Sequence, residues 1–389
     1  MGEYRYMKKI GILTLNGYFN YGNRLQNYAL QEFINMNGFE CETIINDTII
    51  DKSSLFEINK KNKIKNLLDK DFRQIYSAIN KRINSKKIND INNERTKLFK
   101  DFSRKYINET KFSIKYGEID KNLETKYDYF ITGSDQVWNP FDFKVSEVSF
   151  LTFAPKHKRI SYAPSFGVYD IPQQERENYK KWLSEMKHIS VREDAGAKIV
   201  KELTGKEVPV VIDPTMILTK EQWLSVAKKS KAKPKKKYLL TYLLGEGSKE
   251  HKQKIKKISE KYNLEIVNLG TIKDVEHYVT GPSEFIDYIN DASIFFTDSF
   301  HGCVFSMLLD TPFVVCTRVG QDSKTSMESR IDTFLEKFEL KERRYSNINN
   351  IDIFQCDYTK SNELLEKERK IAMDYLSDAL NVNKEFIEM

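Results

Sequence analysis

Short apolar runs recur along this chain, and each is followed by a longer stretch whose apolar positions return at helical spacing. That alternation points to the α/β class, because a strand buried on both faces needs a helical crossover to reach its parallel neighbour. Strands are expected over residues 10–15, 41–45, 127–131, 159–162, 188–191 and 208–212, and again over 238–244, 264–269, 293–296 and 313–316. Between the first two, Leu25, Ala29, Phe33 and Ile34 repeat at helical spacing up to Gly38. Further helices are expected over 193–203, ending at Gly205, and after Thr219, which forms a capping-box pattern with Gln222. In the second half they fall over 248–262, after Pro282, over 303–309 and from about 363 to 380.

The chain has 389 residues, enough for two domains of ordinary size. Tyr and Phe number 21 and 24, which excludes a disordered chain, and the longest apolar runs are too short to span a bilayer. The run at 10–15 follows Lys8 and Lys9 but lacks the length and small-residue cleavage site of a secretion signal, so it reads as the first strand. Tyr6 stands where a myristoylation signal on Gly2 wants Ser or Thr. Cys41, Cys303, Cys316 and Cys356 have no close pair, and none of the five His residues joins a Cys at zinc-finger spacing. A reduced, cytoplasmic compartment and no metal centre are therefore expected.

The net charge of +7 is concentrated. Residues 52–105 hold sixteen Lys or Arg against six Asp or Glu in a helical pattern with almost no strand signal, and read as a helical insertion over about 52–110. Residues 228–237, KKSKAKPKKK, hold seven Lys and no acid; such a run repels itself and reads as a linker. The expected organisation is an α/β domain over 1–227, the linker, and a second α/β domain over 238–389 whose last helix can pack back on the first.

Several polar motifs follow expected strands, at the sheet edge where α/β proteins bind ligands. Asn16 to Gln26 contains Gly17 and Gly22, with Asn20 and Asn23 near a helix start that favours an anion or simply caps the turn. The stretch TGSDQVWNP from Thr132 offers Asp135 and Gln136 to hydroxyls and Trp138 as a platform for a sugar face; the alternative leaves Trp138 in the core. Arg192 ends a strand, where it can clamp a carboxylate or phosphate or pair with Glu193 or Asp194. His301, in Asp298-Ser299-Phe300-His301-Gly302, can exchange a proton near neutral pH, with helix amides behind it for a phosphate. His157, His188, His251 and His277 lie in ordinary surroundings and are given no role. No P-loop is present, Gly245-Glu246-Gly247 lacks a third Gly, and Asp69-Lys70-Asp71 lies inside a Lys-rich helix.

Together the motifs NYGNRLQNYALQ (20–31), TGSDQVWN (132–139), SYAPSFG (161–167), SVRED (190–194), VIDPT (211–215) and DSFHG (298–302) resemble the polysaccharide pyruvyl transferase family, in order and over most of the chain. The resemblance implies a GT-B-like architecture of two Rossmann-like domains facing across a cleft. It implies transfer of pyruvate from phosphoenolpyruvate (PEP) to two sugar hydroxyls as a cyclic ketal, with no protein-bound cofactor. Arg192 and His301 match the family's donor-site Arg and His, and Ser299 and Gly302 flank that His. Several members carry Arg at the position of Ser299, so the phosphate needs another partner: Lys324, Arg330 or the helix amides. Asn20, Gly22, Asn23, Asp135, Gln136 and Trp138 would hold the acceptor.

The implied acceptor is often a polyprenyl-diphosphate-linked sugar at the cytoplasmic membrane face, and the basic insertion can sit against anionic lipid or be a solvated surface. A GT-B glycosyltransferase using a nucleotide sugar, or a non-enzymatic anionic-surface binder, would carry the same coarse features. The absence of aromatics within KKSKAKPKKK argues against nucleic-acid recognition.

Overall fold

The computed structural model describes residues 7–48, 72–115, 118–141, 145–244, 247–318 and 329–382. Two parallel sheets organise it. In the first, β1 (Lys9–Leu13), β2 (Glu40–Asn46), β3 (Glu109–Ile114), β4 (Tyr129–Thr132) and β5 (Arg159–Ser161) take the order β3-β2-β1-β4-β5. In the second, β6 (Tyr238–Tyr242), β7 (Glu265–Asn268), β8 (Ile294–Thr297) and β9 (Phe313–Val315) take the order β7-β6-β8-β9. Every pairing between them is parallel. β1 has four of its five residues buried and β6 all five, as strands covered on both faces require. The chain thus has two Rossmann-like α/β halves.

Helices of the first half are α1 (Tyr21–Met36), α2 (Phe72–Tyr106), α3 (Arg176–Ser184), α4 (Asp194–Thr204) and α5 (Lys220–Val226). Those of the second are α6 (Lys249–Tyr262), α7 (Val275–Tyr278), α8 (Pro282–Asn290), α9 (Phe300–Leu308), α10 (Ser329–Lys337) and α11 (Thr359–Leu380). The expected capping box forms in full, with Thr219 accepting from the Gln222 amide and Gln222 from that of Thr219.

Some elements differ from expectation. The runs at 188–191 and 208–212 make only isolated bridges: His188 bridges Ile160 at the β5 edge of the first sheet, and Val191 bridges Val210, so neither extends into a ladder. β3 closes the edge of the first sheet directly after the expected insertion, where no strand was expected; its alternation of Thr, Phe and Ile with polar residues is a short strand signal. α9 begins at Phe300, so DSFHG is a strand-to-helix turn and His301 sits in a helical first turn.

The segment 228–237 is docked and not self-repelling. Lys233, with its side chain 4% exposed, pairs with Asp287 (2.8 Å) and Asp291 (2.6 Å), and Lys228 pairs with Glu284 (3.1 Å). Those carboxylates lie on α8 and at its C-terminal end, and they offset part of the run's charge. The C-terminal α11 reaches the first half: Arg369 donates to the Met216 and Leu218 carbonyls, and Tyr375 to that of Ser161.

One continuous core joins the halves through α1. Tyr21 stacks on Phe285 of α8 with centroids 4.1 Å apart, lies 5.1 Å from Phe99 of α2 and meets Tyr242 of β6 edge-on, while its hydroxyl donates to the Thr280 carbonyl (3.2 Å). Removing that ring opens a cavity between the halves. Tyr21→Ala is expected to cost about 3–5 kcal/mol in urea unfolding and Tyr21→Phe only about 1 kcal/mol; equal losses would show the hydroxyl to matter more than the ring.

Candidate active site

Arg192, at the start of the turn into α4, points inward with its side chain 1% exposed. Its Nη1 donates to Asp213 Oδ2 at 2.6 Å and lies 3.5 Å from Ser134 Oγ, and its Nη2 is 3.6 Å from Asp135 Oδ1. The pairing with Glu193 or Asp194 weighed from sequence does not form. Glu193 Oε1 instead accepts from Ser165 Oγ and from the amides of Phe166 and Gly167, which holds the SFG loop. Asp194 accepts from Thr333 Oγ1 of α10.

Asp213 is fully buried, and nothing in composition or helical spacing singles it out. Its Oδ1 accepts from the amide (3.1 Å) and hydroxyl (2.7 Å) of Thr215, and its Oδ2 accepts from Ser134 Oγ (2.9 Å) as well as Arg192. His301 Nε2 lies 3.6 Å from the same oxygen. Burial works against the charge, yet His301, Arg192 and the Thr215 hydroxyl outweigh it and hold the carboxyl well below the usual carboxylate range. Burial likewise opposes the charge of Arg192, and Asp213, Asp135 and Glu193 offset it, leaving that guanidinium above its ordinary value. The available signal for Asp213 was an acid ending the apolar run 208–212, followed by Pro-Thr.

From the first half, Asp135 follows β4 at φ 63°, a left-handed conformation that Asp tolerates better than most residues. Its Oδ2 accepts from Asn23 Nδ2 (3.4 Å), and Asn23 Oδ1 accepts from Arg24, whose Nη1 pairs with Glu109 at 2.9 Å. Asn20 caps α1 by accepting from the Asn23 amide. The expected donor and acceptor residues therefore form one connected cluster and not two facing sets.

His301 reaches this cluster from α9. A Cβ on Gly22 would lie 1.9 Å from His301 Nδ1, so Gly22 is the gap in α1 that admits the ring. Ser299 Oγ caps α9 by accepting from the Gly302 amide (3.3 Å), and a Cβ on Gly302 would fall 2.5 Å from Thr297 Oγ1. These two residues build the turn that carries His301.

Arg330, on α10, is buried, and its guanidinium lies over the Phe300 ring at 6.0 Å, as that of Arg192 does at 4.6 Å. Burial, with repulsion from Arg192 next, pushes Arg330 down to about 10. Both residues border a narrow cavity, large enough for about one water, that Asp213, Phe300 and Lys337 also line. Two of its lining residues carry buried nitrogens without hydrogen-bond partners, Arg192 (Nε and Nη2) and Arg330 (Nε), and His301 Nε2, beside Asp213, is a further one. Lys324 lies outside the described residues.

Trp138 does not serve as a sugar platform. It is fully buried, stacked on Phe150 at 4.8 Å, with its indole donating to the Ser149 carbonyl (3.1 Å), because the turn after β4 folds it into the first half's second core cluster. Gln136 packs against Gly167, where a Cβ would come 2.2 Å from its Nε2. Among the described residues no group of three or more His, Cys, Asp or Glu side chains is set to hold a metal ion.

Asp213→Asn would leave Arg192 without its closest counter-charge and is expected to cost about 3–5 kcal/mol at pH 7. Because the folded Asp213 carboxyl titrates below its unfolded value of about 3.9, its contribution is full above that value and is lost as pH falls below it. Denaturant titrations at pH 7, 5 and 3 should therefore show the wild type losing more stability than the variant; parallel losses would contradict the assignment.

Solved structures similar to this chain include a UDP-N-acetylglucosamine 2-epimerase described as putative from Listeria monocytogenes, at 11% identity and TM-score 0.45, covering 97% of this chain and 98% of that one. Another is the Methanocaldococcus jannaschii UDP-GlcNAc 2-epimerase in complex with UDP-GlcNAc and UDP, at 13% identity and TM-score 0.43, covering 93% and 99%. No curated protein matches the chain. The model of the family described as polysaccharide pyruvyl transferase matches residues 20–318, a span holding every cluster residue named above except Arg330, and the chain belongs to that family of transferases.

Proposed function

We propose that this enzyme transfers the pyruvyl group of PEP to two hydroxyls of one sugar in a cell-surface polysaccharide precursor, giving a cyclic ketal. The observation that carries this reading is the pair of buried guanidiniums, Arg192 and Arg330, over Phe300, with unpartnered nitrogens beside His301. Buried donors of this kind are costly unless an anion completes them. PEP brings a carboxylate and a phosphate, and two planar guanidinium forks suit both. Arg330 thereby supplies the positive charge that Ser299 does not. The cavity is too narrow for PEP as it stands, so entry requires Phe300 or α10 to shift.

In the reaction, His301 gives a proton to the methylene carbon of PEP while a sugar hydroxyl oxygen bonds to the second carbon. That hydroxyl's proton returns to His301. The bond from the second carbon to the phosphate oxygen then breaks with its electron pair leaving on phosphate. The second hydroxyl closes the ring, and its proton leaves with the phosphate. Asp213 steadies the protonated imidazole, Arg192 and Arg330 take up the developing phosphate charge, and Asp135 with Asn23 orients the diol.

The acceptor in this reading is a polyprenyl-diphosphate-linked sugar met at the cytoplasmic face of a membrane. The exposed Lys97, Lys100, Arg104 and Lys105 of α2 offer a surface for anionic lipid, at about 1 kcal/mol per well-placed cation. Among the described residues no helix is long and apolar enough to cross a membrane.

PEP should raise the melting temperature and nucleoside diphosphates should not, and the shift should vanish in Arg192→Ala and Arg330→Ala. A shift with UDP in place of PEP would overturn the donor assignment. In turnover assays His301→Ala should lose ~10²–10⁴-fold, and Gly22→Ala should lower kcat by displacing the ring while leaving the PEP-induced shift in place. Near-normal turnover in His301→Ala would remove it from proton transfer.

A further inference from the structure

The second half has a groove that this reaction does not use. It lies along α6, on the sheet face where α6 packs with Ile348 and Ile353, whereas α8 and α9 pack on α1 through the shared core. The groove has a volume of about 450 Å³, within the range of small-molecule sites. Glu250, Lys254 and Lys257 form one wall, at helical spacing that spans about 10 Å of α6. Tyr345 and Asn349 stand opposite, and Lys254 Nζ donates across to Asn349 Oδ1 at 2.7 Å.

His251 lines the groove from beneath. It is 6% exposed, its ring meets Tyr345 edge-on at 4.2 Å, and its Nδ1 is buried with no hydrogen-bond partner. A buried ring nitrogen left without a hydrogen-bond partner in the wall of a polar groove is a cost that a ligand hydroxyl can relieve once the ring turns toward it. The walls set the ligand's chemistry. Two ammonium groups against one carboxylate favour an anion, while the Glu250 carboxylate and Asn349 amide are the planar groups that pair with vicinal hydroxyls.

We propose that this groove binds a phosphorylated sugar, with Lys254 and Lys257 on the phosphate and Glu250, Asn349 and His251 on the hydroxyls. The proposal rests on the reading above only in expecting a carbohydrate. Its test does not involve turnover.

Isothermal titration of the full chain with glucose 1-phosphate, glucose, inorganic phosphate and UDP decides it, with His251 imidazole resonances followed in parallel. Glucose 1-phosphate should bind at least tenfold tighter than glucose or inorganic phosphate and shift the His251 signal. Lys254→Gln combined with Lys257→Gln should weaken it at least tenfold and leave the PEP-induced melting shift unchanged. His251→Asn should weaken it too. Inorganic phosphate binding as tightly would make this a bare anion site, and UDP binding more tightly would make it a nucleotide site; either overturns the proposal. So does undiminished binding in the double variant, or no binding at all. A PEP shift that persists while the groove stays empty would separate failure here from failure of the proposed reaction.

Discussion

The buried pair of Arg192 and Asp213 is the constraint on which the rest of the site depends. A charge pair taken wholly out of water gains from mutual attraction only if its remaining donors and acceptors are also satisfied. Asp213 meets that condition on both oxygens: Thr215 supplies two hydrogen bonds to one, and Ser134 with Arg192 supplies two to the other. Arg192 does not meet it, since Nε and Nη2 keep no hydrogen-bond partner. The asymmetry is informative. The carboxylate is completed by the fold and serves as a fixed negative centre, whereas the guanidinium, with Nη2 only 3.6 Å from Asp135 Oδ1, is completed only in part.

That frame brings both halves together through one helix. Successive residues of α1 face different neighbours: Tyr21 fills the core against α8, Gly22 makes room for His301, Asn23 reaches Asp135, and Arg24 is spent on Glu109 and the Leu15 carbonyl. The imidazole belongs to the second half, but its position is set by a missing side chain in the first. A helix buried on nearly every side must satisfy each polar residue it carries. Gln26 does so on the Thr14 hydroxyl and the Ser134 amide, tying the loops after β1 and β4 together. The catalytic geometry and the packing of the halves are therefore coupled.

Every described sheet strand but β3 was legible, because a parallel strand covered on two faces must be apolar nearly throughout, and runs such as KIGIL and YLLTY carry that signal without tertiary help. Arg192 and His301 were legible because each ends or follows such a run. Asp213 was not, since its importance lies in which three-dimensional neighbours share its oxygens, and the run before it pairs only through one bridge. Trp138 was misread for a related reason: a polar stretch around an aromatic suggests a sugar platform, but burial depends on Phe150 and Phe166, which lie 12 and 28 residues further on. The basic segment near Lys233 gave no sign in the sequence of its docking, because the acids that pair with Lys233, Asp287 in α8 and Asp291 capping it, lie more than fifty residues further on.

The position two residues before His301 bears on where the positive charge of the proposed donor site comes from. Ser299 is committed to capping α9, and that cap places the imidazole. An Arg there would lose the cap that the Ser hydroxyl provides. Arg330 arrives from α10 instead, close enough to Arg192 to be pushed down by it and with Phe300 beneath both. Two like charges held together raise each other's energy, and in the proposed reaction a donor carrying carboxylate and phosphate would relieve that repulsion on binding. Burial that costs stability would then let a few fixed groups act strongly on charge that develops later, since charges in a buried, low-dielectric site are weakly screened.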